Sequence, residues 1–377
     1  MFRNQFLAGL TSALAVSSSA LAAPVCTTGE LFAGAPDFEE PMKRARNGQG
    51  LLDVPPLGFR VLVFAGDRLV TAVGPEIWYS DLSADTPTLT RLAGRVGSAR
   101  DSIPGACKSA RFVNISGLAL MPDGSLAGAD QASNNLFQIT DPFGPDCNVA
   151  FIAGAVQPQV PLANGVPTNA GDADGAGTSG AVLLRGPDWV AATDDGTIYF
   201  IDSGNTKLKK IAPDAVRTVE TVTKLPEGTY YALIAEGGKL YAIANNDISE
   251  GFLIEVDPVT AEVNDIARGR SDFWLSNGSI NVSGLASDGE GFFTSQSGQL
   301  IYVTPDGEVE SIAGNGAYFE YTGDYDPSQP HPADELQLRS ARRTMTAGAN
   351  VFLAQRDGHV YFSAAGDTAY VLRIACK

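Results

Sequence analysis

The sequence predicts an all-β fold in which six four-stranded antiparallel blades form one β-propeller. A short β-type segment with a similar ending recurs roughly every 45 to 70 residues, and such a period is typical of repeat architectures. The 377 residues include 41 Gly and 22 Pro, which indicates many turns and therefore many short strands. Clear copies end at Gly34, Gly94, Gly154 and Gly314, and weaker copies occupy Val219–Thr223 and Val263–Ala267.

Each repeat contains four predicted strands, lettered a to d from the ring centre outwards. The second repeat is the clearest, because Asp123-Gly124, a pair that favours tight turns, separates its first two strands. The third repeat has the same turn at Asp195-Gly196. The predicted strands of the six repeats are 58–65, 68–73, 76–81 and 86–94; 115–122, 125–130, 135–140 and 147–154; 187–193, 197–203, 207–211 and 215–222; 230–235, 239–244, 251–256 and 261–267; 281–287, 291–297, 299–304 and 308–314; and 351–355, 359–363 and 369–376.

The sixth repeat has three strands, and its missing strand d is predicted at residues 27–34 near the N-terminus. A ring in which this N-terminal strand completes the last blade has no free edge at the closure. The 4 cysteines predict two disulfides, for which three pairings exist. Cys26 and Cys376 lie on the two strands that we expect to pair, which favours a bond between them. Cys107–Cys147 then follows by elimination.

The first residues are typical of a secretory signal peptide. Arg3 supplies a positive charge, residues 6–16 are apolar, and Ala20-Leu21-Ala22 fits a cleavage site. The apolar stretch is too short to span a bilayer. We therefore predict a signal peptide at 1–22, one propeller domain at 23–377, and a secreted or periplasmic protein.

The formal net charge of −17 predicts an acidic surface. Such a surface repels nucleic acid and anionic membranes, and it suits solubility, cations or a basic partner. We expect no nucleic-acid partner, no membrane insertion and a monomer.

The repeats resemble NHL repeats, which build six-bladed β-propellers. The resemblance is carried by Ala110–Ala119 with Asp123-Gly124 and Asp130, by Pro187–Thr193 with Asp195-Gly196 and Tyr199–Ile211, and by the crossings 165–184 and 314–338. These crossings look like the "GDGGPA…AQL" stretch of bacterial NHL proteins. The resemblance covers essentially the whole mature chain. It implies the propeller fold and little about chemistry, because propellers host unrelated functions.

Two aspartates in a long crossing suggest a cation site. Asp172 and Asp174, followed by Gly175, could begin a Ca²⁺ loop, because hard cations bind clustered oxygens. Leu183 stands at the twelfth position, where an EF-hand has glutamate, and the same spacing occurs in the family without metal. Ca²⁺ or another divalent cation at these two residues is a candidate, and Asp324 with Asp326 is a weaker one.

A second candidate is a divalent cation on the ring axis, as in lactonase-type propellers. Polar residues near the starts of the innermost strands could converge there, namely Asn114, Asp188, Asn281 and Arg343. The alternative is that they line a wet central channel. The chain has 2 histidines, His331 and His359, and their separation disfavours the histidine-based metal site of amidating-lyase propellers.

An aromatic and acidic cluster occupies the last long crossing, with Tyr318, Tyr321, Asp324 and Tyr325. Such residues can stack on sugars or anchor a protein partner, and the alternative is that they pack on the blade edge. The long crossings between strand d and the next strand a are 35–57, 95–114, 155–186 and 315–343, and they serve neighbouring blades. We expect the binding surface on that side of the ring.

No G-x-S-x-G elbow and no free catalytic cysteine is evident in the sequence. We therefore predict a secreted binding module for a protein or carbohydrate ligand. The alternative is a metal-dependent propeller enzyme, lactonase- or lyase-like, with an axial divalent cation. Clustered carboxylates on the axis would favour the enzyme, and an axis lined by small or apolar groups would favour the binding module.

Overall fold

The computed structural model describes residues 22–34, 47–51, 59–95, 102–154, 162–163, 166–167, 169–246, 250–269, 282–316, 329–338, 351–364 and 370–377. Strands dominate these residues, and no α-helix occurs among them. Short 3₁₀ segments lie at Gln131–Ser133, Gly177–Ser179, Ser203–Asn205 and Ala333–Glu335. No helix in this part of the chain is long and apolar enough to cross a membrane.

Six antiparallel sheets form the blades of a propeller, which confirms the predicted fold. Blade one has strands a to d at Phe59–Ala65, Arg68–Val73, Glu76–Asp81 and Thr88–Ala93. Blade two has them at Ile115–Leu120, Leu126–Asp130, Asn135–Thr140 and Asn148–Gly154. Blade three has them at Pro187–Ala192, Ile198–Asp202, Lys207–Ile211 and Thr218–Lys224.

The other three blades follow the same order from the centre outwards. Blade four has Thr229–Glu236, Lys239–Asn245, Gly251–Val256 and Val263–Gly269. Blade five has Val282–Ser287, Phe292–Gln296, Gln299–Val303 and Val309–Ala313. Blade six has Val351–Arg356, His359–Ala364, Tyr370–Cys376 and, as strand d, Cys26–Ala33.

The innermost strands of neighbouring blades contact one another around a closed ring, in which blade six lies next to blade one. Both chain ends build blade six, because its N-terminal strand d pairs antiparallel with strand c. Cys26 stands opposite Cys376 in that register, and the two are disulfide-bonded. Val25 and Lys377 extend the pairing with reciprocal backbone hydrogen bonds of 2.8 and 3.0 Å. A second disulfide joins Cys107 to Cys147 in blade two.

Four blades carry a fifth, two-residue strand that the sequence pattern does not predict. These strands are Gln49–Gly50 in blade one, Gly105–Ala106 in blade two, Gly175–Ala176 in blade three and His331–Pro332 in blade six. Each belongs to one of the four long crossings and pairs with the outer edge of strand d. The crossing before blade three also contains a small hairpin of Leu162–Ala163 and Val166–Pro167. The long crossings therefore reach the outer rim of the ring before they return to its centre.

A buried aspartate at the end of strand b holds the entry to strand a in blades two and three. Asp130 accepts hydrogen bonds from the backbone N–H groups of Val113 and Asn114 at 2.9 and 2.8 Å. Asp202 accepts one from the Arg185 N–H at 2.7 Å. Burial raises the pKa of both carboxyl groups. Because a buried polar group without partners is costly, these bonds fix the path of the chain towards the ring centre.

A buried lysine ties the long crossing before blade three to its sheet. Lys209 in strand c is fully buried, and its ammonium donates to Asp172 at 3.0 Å and to Asp174 at 2.6 Å. The same ammonium lies 3.9 Å from the carboxylate of Asp202. A hydrogen bond from Lys207 is the main cause that lowers the pKa of Asp172. This cluster of opposite charges fastens the crossing to the blade.

Loss of the Cys26–Cys376 disulfide should destabilise the protein more than loss of the Cys107–Cys147 disulfide. The two bonds span sequence separations of 350 and 40 residues, and a longer loop loses more chain entropy on cross-linking. We expect a difference of about 2 kcal/mol in the free energy of unfolding. Urea unfolding of the Cys26→Ser/Cys376→Ser and Cys107→Ser/Cys147→Ser double variants measures it, and equal unfolding free energies would contradict this expectation.

The substitution Lys209→Met should lower the free energy of unfolding by about 3 kcal/mol, because it leaves Asp202 buried without its cation. Lys210→Met is the matched control, since the neighbouring Lys210 forms a partly exposed pair with Glu220 at 3.0 Å. The control should cost less than about 1 kcal/mol. Guanidinium-induced unfolding of both variants measures the loss of unfolding free energy in each. A similar loss in both would mean that the buried cluster is no more important than a surface pair.

Candidate functional site

The innermost strands of the six blades surround a central channel, which holds a cavity of about 280 Å³. The side chains that line it are apolar in every blade and include Leu62, Leu118, Val190, Leu233, Leu285 and Leu353. The strands approach each other closely. A Cβ atom added to Gly117 would lie 2.8 Å from the backbone nitrogen of Val190, so a larger residue would push blades two and three apart.

Trp189 and Phe352 meet across this channel. They stand on the innermost strands of blades three and six, which face each other, and their ring centroids are 5.6 Å apart. Trp189 sits in a β-bulge with a φ of 43°, a conformation that bulky residues rarely adopt. Its indole Nε1 donates to the carbonyl of Tyr230 in blade four at 2.8 Å. The bulge and this hydrogen bond hold the indole against the axis.

Four polar side chains form a hydrogen-bonded chain at the end of the channel where the innermost strands begin. Arg60 donates to Asn114 Oδ1 at 2.9 Å, and Asn114 Nδ2 donates to Gln131 Oε1 at 3.1 Å. Gln131 Nε2 donates to Asp188 Oδ2 at 2.9 Å. All four residues are partly exposed. We refer to them as the polar arc, which spans blades one to three.

Two asparagines fix the crossing into blade three beside the polar arc. Asn134 ends a 3₁₀ turn in the left-handed region, with a φ of 57°. Its side chain accepts from the Gly186 N–H at 2.7 Å and donates to Asn169 Oδ1 at 3.0 Å. Asn169 in turn donates to the Ser133 carbonyl at 2.9 Å. Because Gly186 directly precedes strand a of blade three, these bonds set the position of Asp188.

The electrostatics of the polar arc centre on Asp188. Burial raises the pKa of Asp188 to about 7, against the opposing effects of Ser116, of the Trp189 N–H and of the positive charge of Arg60. The Trp189 N–H donates to Asp188 Oδ1 at 2.9 Å. Near neutral pH the Asp188 carboxyl group is therefore shared between its protonated and ionised forms. It can donate or accept a hydrogen bond to a ligand.

The structure brings together two of the predicted axial residues, Asn114 and Asp188. The predicted residues Asn281, Arg343, Tyr318, Tyr321, Asp324 and Tyr325 lie outside the described residues. Sequence reasoning missed Arg60, Gln131 and the role of Trp189. Arg60 is the second residue of the innermost strand of blade one, and Asp188 is the second residue of the innermost strand of blade three. A comparison of the residues at the starts of these strands could therefore have found Arg60. Gln131 follows strand b and gives no such signal.

Asp172 and Asp174 lie at the outer part of blade three, where Gly175–Ala176 pairs with strand d. Their carboxylates bind the ammonium groups of Lys207 and Lys209, and Asp174 also accepts from the Thr221 N–H at 2.8 Å. A divalent cation at this place stays a prediction, and it would have to displace the ammonium of Lys209. Among the described residues, no group of three or more His, Cys, Asp and Glu side chains could hold a metal ion.

No protein-family model and no curated protein sequence matches the chain. Solved structures resemble it at low identity. One is an auxiliary nutrient binding protein from Bacteroides thetaiotaomicron, with 10% identity and a TM-score of 0.60, covering 93% of this chain and 77% of that one. Another is an auxiliary nutrient binding protein from Bacteroides ovatus, with 12% identity and a TM-score of 0.59, covering 94% and 77%. A streptogramin B lyase has 12% identity and a TM-score of 0.50, covering 89% and 98%. At these identities the likeness establishes one thing, the β-propeller fold.

Proposed function

We propose that this protein is an NHL-type binding module that holds a carbohydrate at one mouth of its central channel. The observation that carries the proposal is the polar arc, which lies at the starts of the innermost strands, beside Trp189 of the aromatic pair. Sites that are mostly apolar, with a few convergent polar groups, are typical of small-molecule binding.

The chemistry of the polar arc suits sugar hydroxyl groups. Asn114 and Gln131 each offer both a donor and an acceptor, and Asp188 can act as either near neutral pH. Within the described part of the chain, Arg60 forms a side-chain hydrogen bond to Asn114 and no ion pair. Its remaining N–H groups bond to no other described side chain, and a ligand oxygen can accept from them. Trp189 is buried and supports the polar arc through its backbone N–H, which donates to Asp188.

We further propose that the protein acts outside the cytoplasm, as a mature chain of residues 23–377. Its two disulfides support this, because such bonds persist in oxidising compartments. The signal-peptide pattern at residues 1–22 supports it as well. Two of the similar propellers are described as auxiliary nutrient binding proteins, which agrees with capture of a ligand.

A metal-dependent enzyme is the alternative. A similar propeller is a lyase, so the fold itself accommodates catalysis. The apolar lining of the axis supports binding instead, because a divalent cation prefers oxygen or imidazole ligands and the channel lining supplies leucine and valine side chains.

The binding site can be tested with a thermal-shift screen of mono- and oligosaccharides against residues 23–377. Calorimetry with a stabilising sugar should then show roughly tenfold weaker binding by Arg60→Met, because a hydrogen bond to a charged group is lost. Trp189→Phe should weaken binding as well, since it removes the indole hydrogen bond to Tyr230 that helps to hold the strand of Asp188 in place.

The control is Arg91→Met, because Arg91 pairs with Glu76 at 3.1 Å on the outer part of blade one. This variant should bind the sugar with wild-type affinity. Unchanged affinity in Arg60→Met and Trp189→Phe would refute binding at the channel mouth. Turnover of a screened compound that EDTA abolishes would favour the enzyme instead.

The polar arc also predicts a pH dependence of stability. The pKa of Asp188 is about 7 in the folded protein and roughly 3.9 in an unfolded chain. Between these values the folded state holds a proton that the unfolded state has released. The protonated Asp188 carboxyl group therefore contributes most to the free energy of unfolding at low pH. This contribution is lost as the pH rises through 7.

The variant Asp188→Asn cannot titrate at this position. Its unfolding free energy, relative to wild type, should therefore increase as the pH rises from 5 to 8. Urea unfolding of both proteins at several pH values measures this difference. Parallel pH profiles would show that the pKa of Asp188 is not raised.

A further inference from the structure

The four fifth strands occupy the same place in their blades. Each lies antiparallel to the beginning of strand d, on the edge that faces away from strand c. The paired residues are Gln49 with Leu89, Gly105 with Val149, Gly175 with Val219 and His331 with Gly29. In each case the crossing that precedes strand a of that blade supplies the fifth strand. The chain thus covers its own sheet edges with the crossings that are long enough to do so.

Blade four differs because its preceding crossing is too short to supply such a strand. Residues 225–228 lead directly from strand d of blade three to strand a of blade four, and all of them are described. Within the described chain, strand d of blade four pairs with strand c alone. No described residue therefore covers the beginning of its outer edge, the stretch that carries a fifth strand in four other blades.

The open backbone groups of blade four can be identified by comparison with blade three. Arg217 and Ala261 are the last turn residues before strand d and have similar positive φ values, 54° and 63°. In blade three the Arg217 carbonyl accepts a hydrogen bond of 3.0 Å from the Gly177 N–H. Gly177 directly follows the fifth strand, Gly175–Ala176. The equivalent carbonyl in blade four belongs to Ala261, and no described N–H group donates to it.

Hydrogen bonding alternates along an antiparallel strand. The Glu262 carbonyl accepts from the Asp257 N–H at 3.0 Å and so points towards strand c. The backbone groups of Val263 and Asp265 consequently point outwards. At the far end of the edge, Gly307 of blade five approaches the Ile266 carbonyl so closely that a Cβ atom on Gly307 would lie 2.4 Å from it. The open stretch is therefore residues 261–265.

The side chains around this stretch favour a basic partner. Glu262, Asn264 and Asp265 are exposed, and the nearby Arg268 is engaged by Glu250 at 3.3 Å and by Asp265 at 2.8 Å. Val259, in the adjoining turn, is 90% exposed, more than any other large apolar side chain in the described chain. A second copy of this edge would place acidic residues opposite acidic residues, which is unfavourable.

We propose that the outer edge of blade four binds an extended, basic peptide as a fifth antiparallel strand. The peptide backbone bonds to the Ala261 carbonyl and to the outward groups of Val263 and Asp265, as the internal fifth strands do in other blades. Lysine or arginine side chains of the peptide face Glu262 and Asp265, and an apolar residue covers Val259. This surface is separate from the channel mouth.

The probe is a fluorescein-labelled synthetic octapeptide of alternating lysine and valine, tested by fluorescence anisotropy at low salt with residues 23–377. Val263→Pro removes one outward N–H donor without touching the bonds to strand c. It should weaken binding by roughly tenfold. Val309→Pro, at the equivalent position of blade five, should leave the peptide-dependent protection of the Val263 and Asp265 amides in blade four unchanged. A peptide N-methylated at alternate amides keeps its charge and should lose binding.

Hydrogen exchange provides a test that needs no variant. The amides of Val263 and Asp265 should exchange fast in the free protein and slowly with the peptide, while those of 218–224 in blade three should not change. Protection of the Val263 and Asp265 amides in the free protein would overturn the proposal, because another segment of the chain would then cover the edge. Equal binding by Val263→Pro, equal binding of the N-methylated peptide, or self-association in place of peptide binding would overturn it as well.

Discussion

Closure of the ring is the constraint on which the rest of this structure depends. Each innermost strand packs between two others, so one missing contact would open the apolar channel to water. The antiparallel pairing of Cys26–Ala33 with Tyr370–Cys376 completes the sixth blade and supplies the last contact. The channel, its aromatic pair and the polar arc exist because six strand starts are brought to one place. None of these features belongs to a single blade.

The fold was largely predictable from the sequence, and the site was predictable in part. Asp-Gly turns such as Asp123-Gly124 mark hairpins locally, so strands of the second and third repeats could be placed well. The fifth strands could not be predicted, because a strand of two residues is too short to show an alternation of apolar and polar side chains. The polar arc joins residues from three blades, and its pairing of Gln131 with Asp188 depends on the geometry of the ring.

The spacing of carboxylates is an ambiguous signal for a cation. Asp172 and Asp174 have the spacing of a metal loop, yet the positive group beside them in this structure is the ammonium of Lys209. In the sequence, Lys209 is one of several lysines in a strand, and nothing shows that its side chain points inwards. Whether the ammonium of Lys209 lies beside the two aspartates depends on the burial of its side chain, and burial is a property of the folded sheet.

The unequal crossings divide the ring into two parts. Blades six, one, two and three carry long crossings that thicken the outer rim, and three of these blades also supply the polar arc. Blades four and five have four strands each within the described chain. Among the described residues, the fifth strands and the polar arc thus lie together on one side of the ring. The blades on the other side have neither feature in the described chain.

The position of the closing strand also determines the order in which the protein can fold. Strand d of blade six precedes the other described strands in the sequence, and its partner, Tyr370–Cys376, follows them. The N-terminal strand must therefore stay unpaired until its partner has been synthesised. Cys26 and Cys376 are 350 residues apart in the sequence, and contacts of high sequence separation form slowly. The closed ring, and with it the channel and the polar arc, can therefore form only after the C-terminal strand of blade six is available.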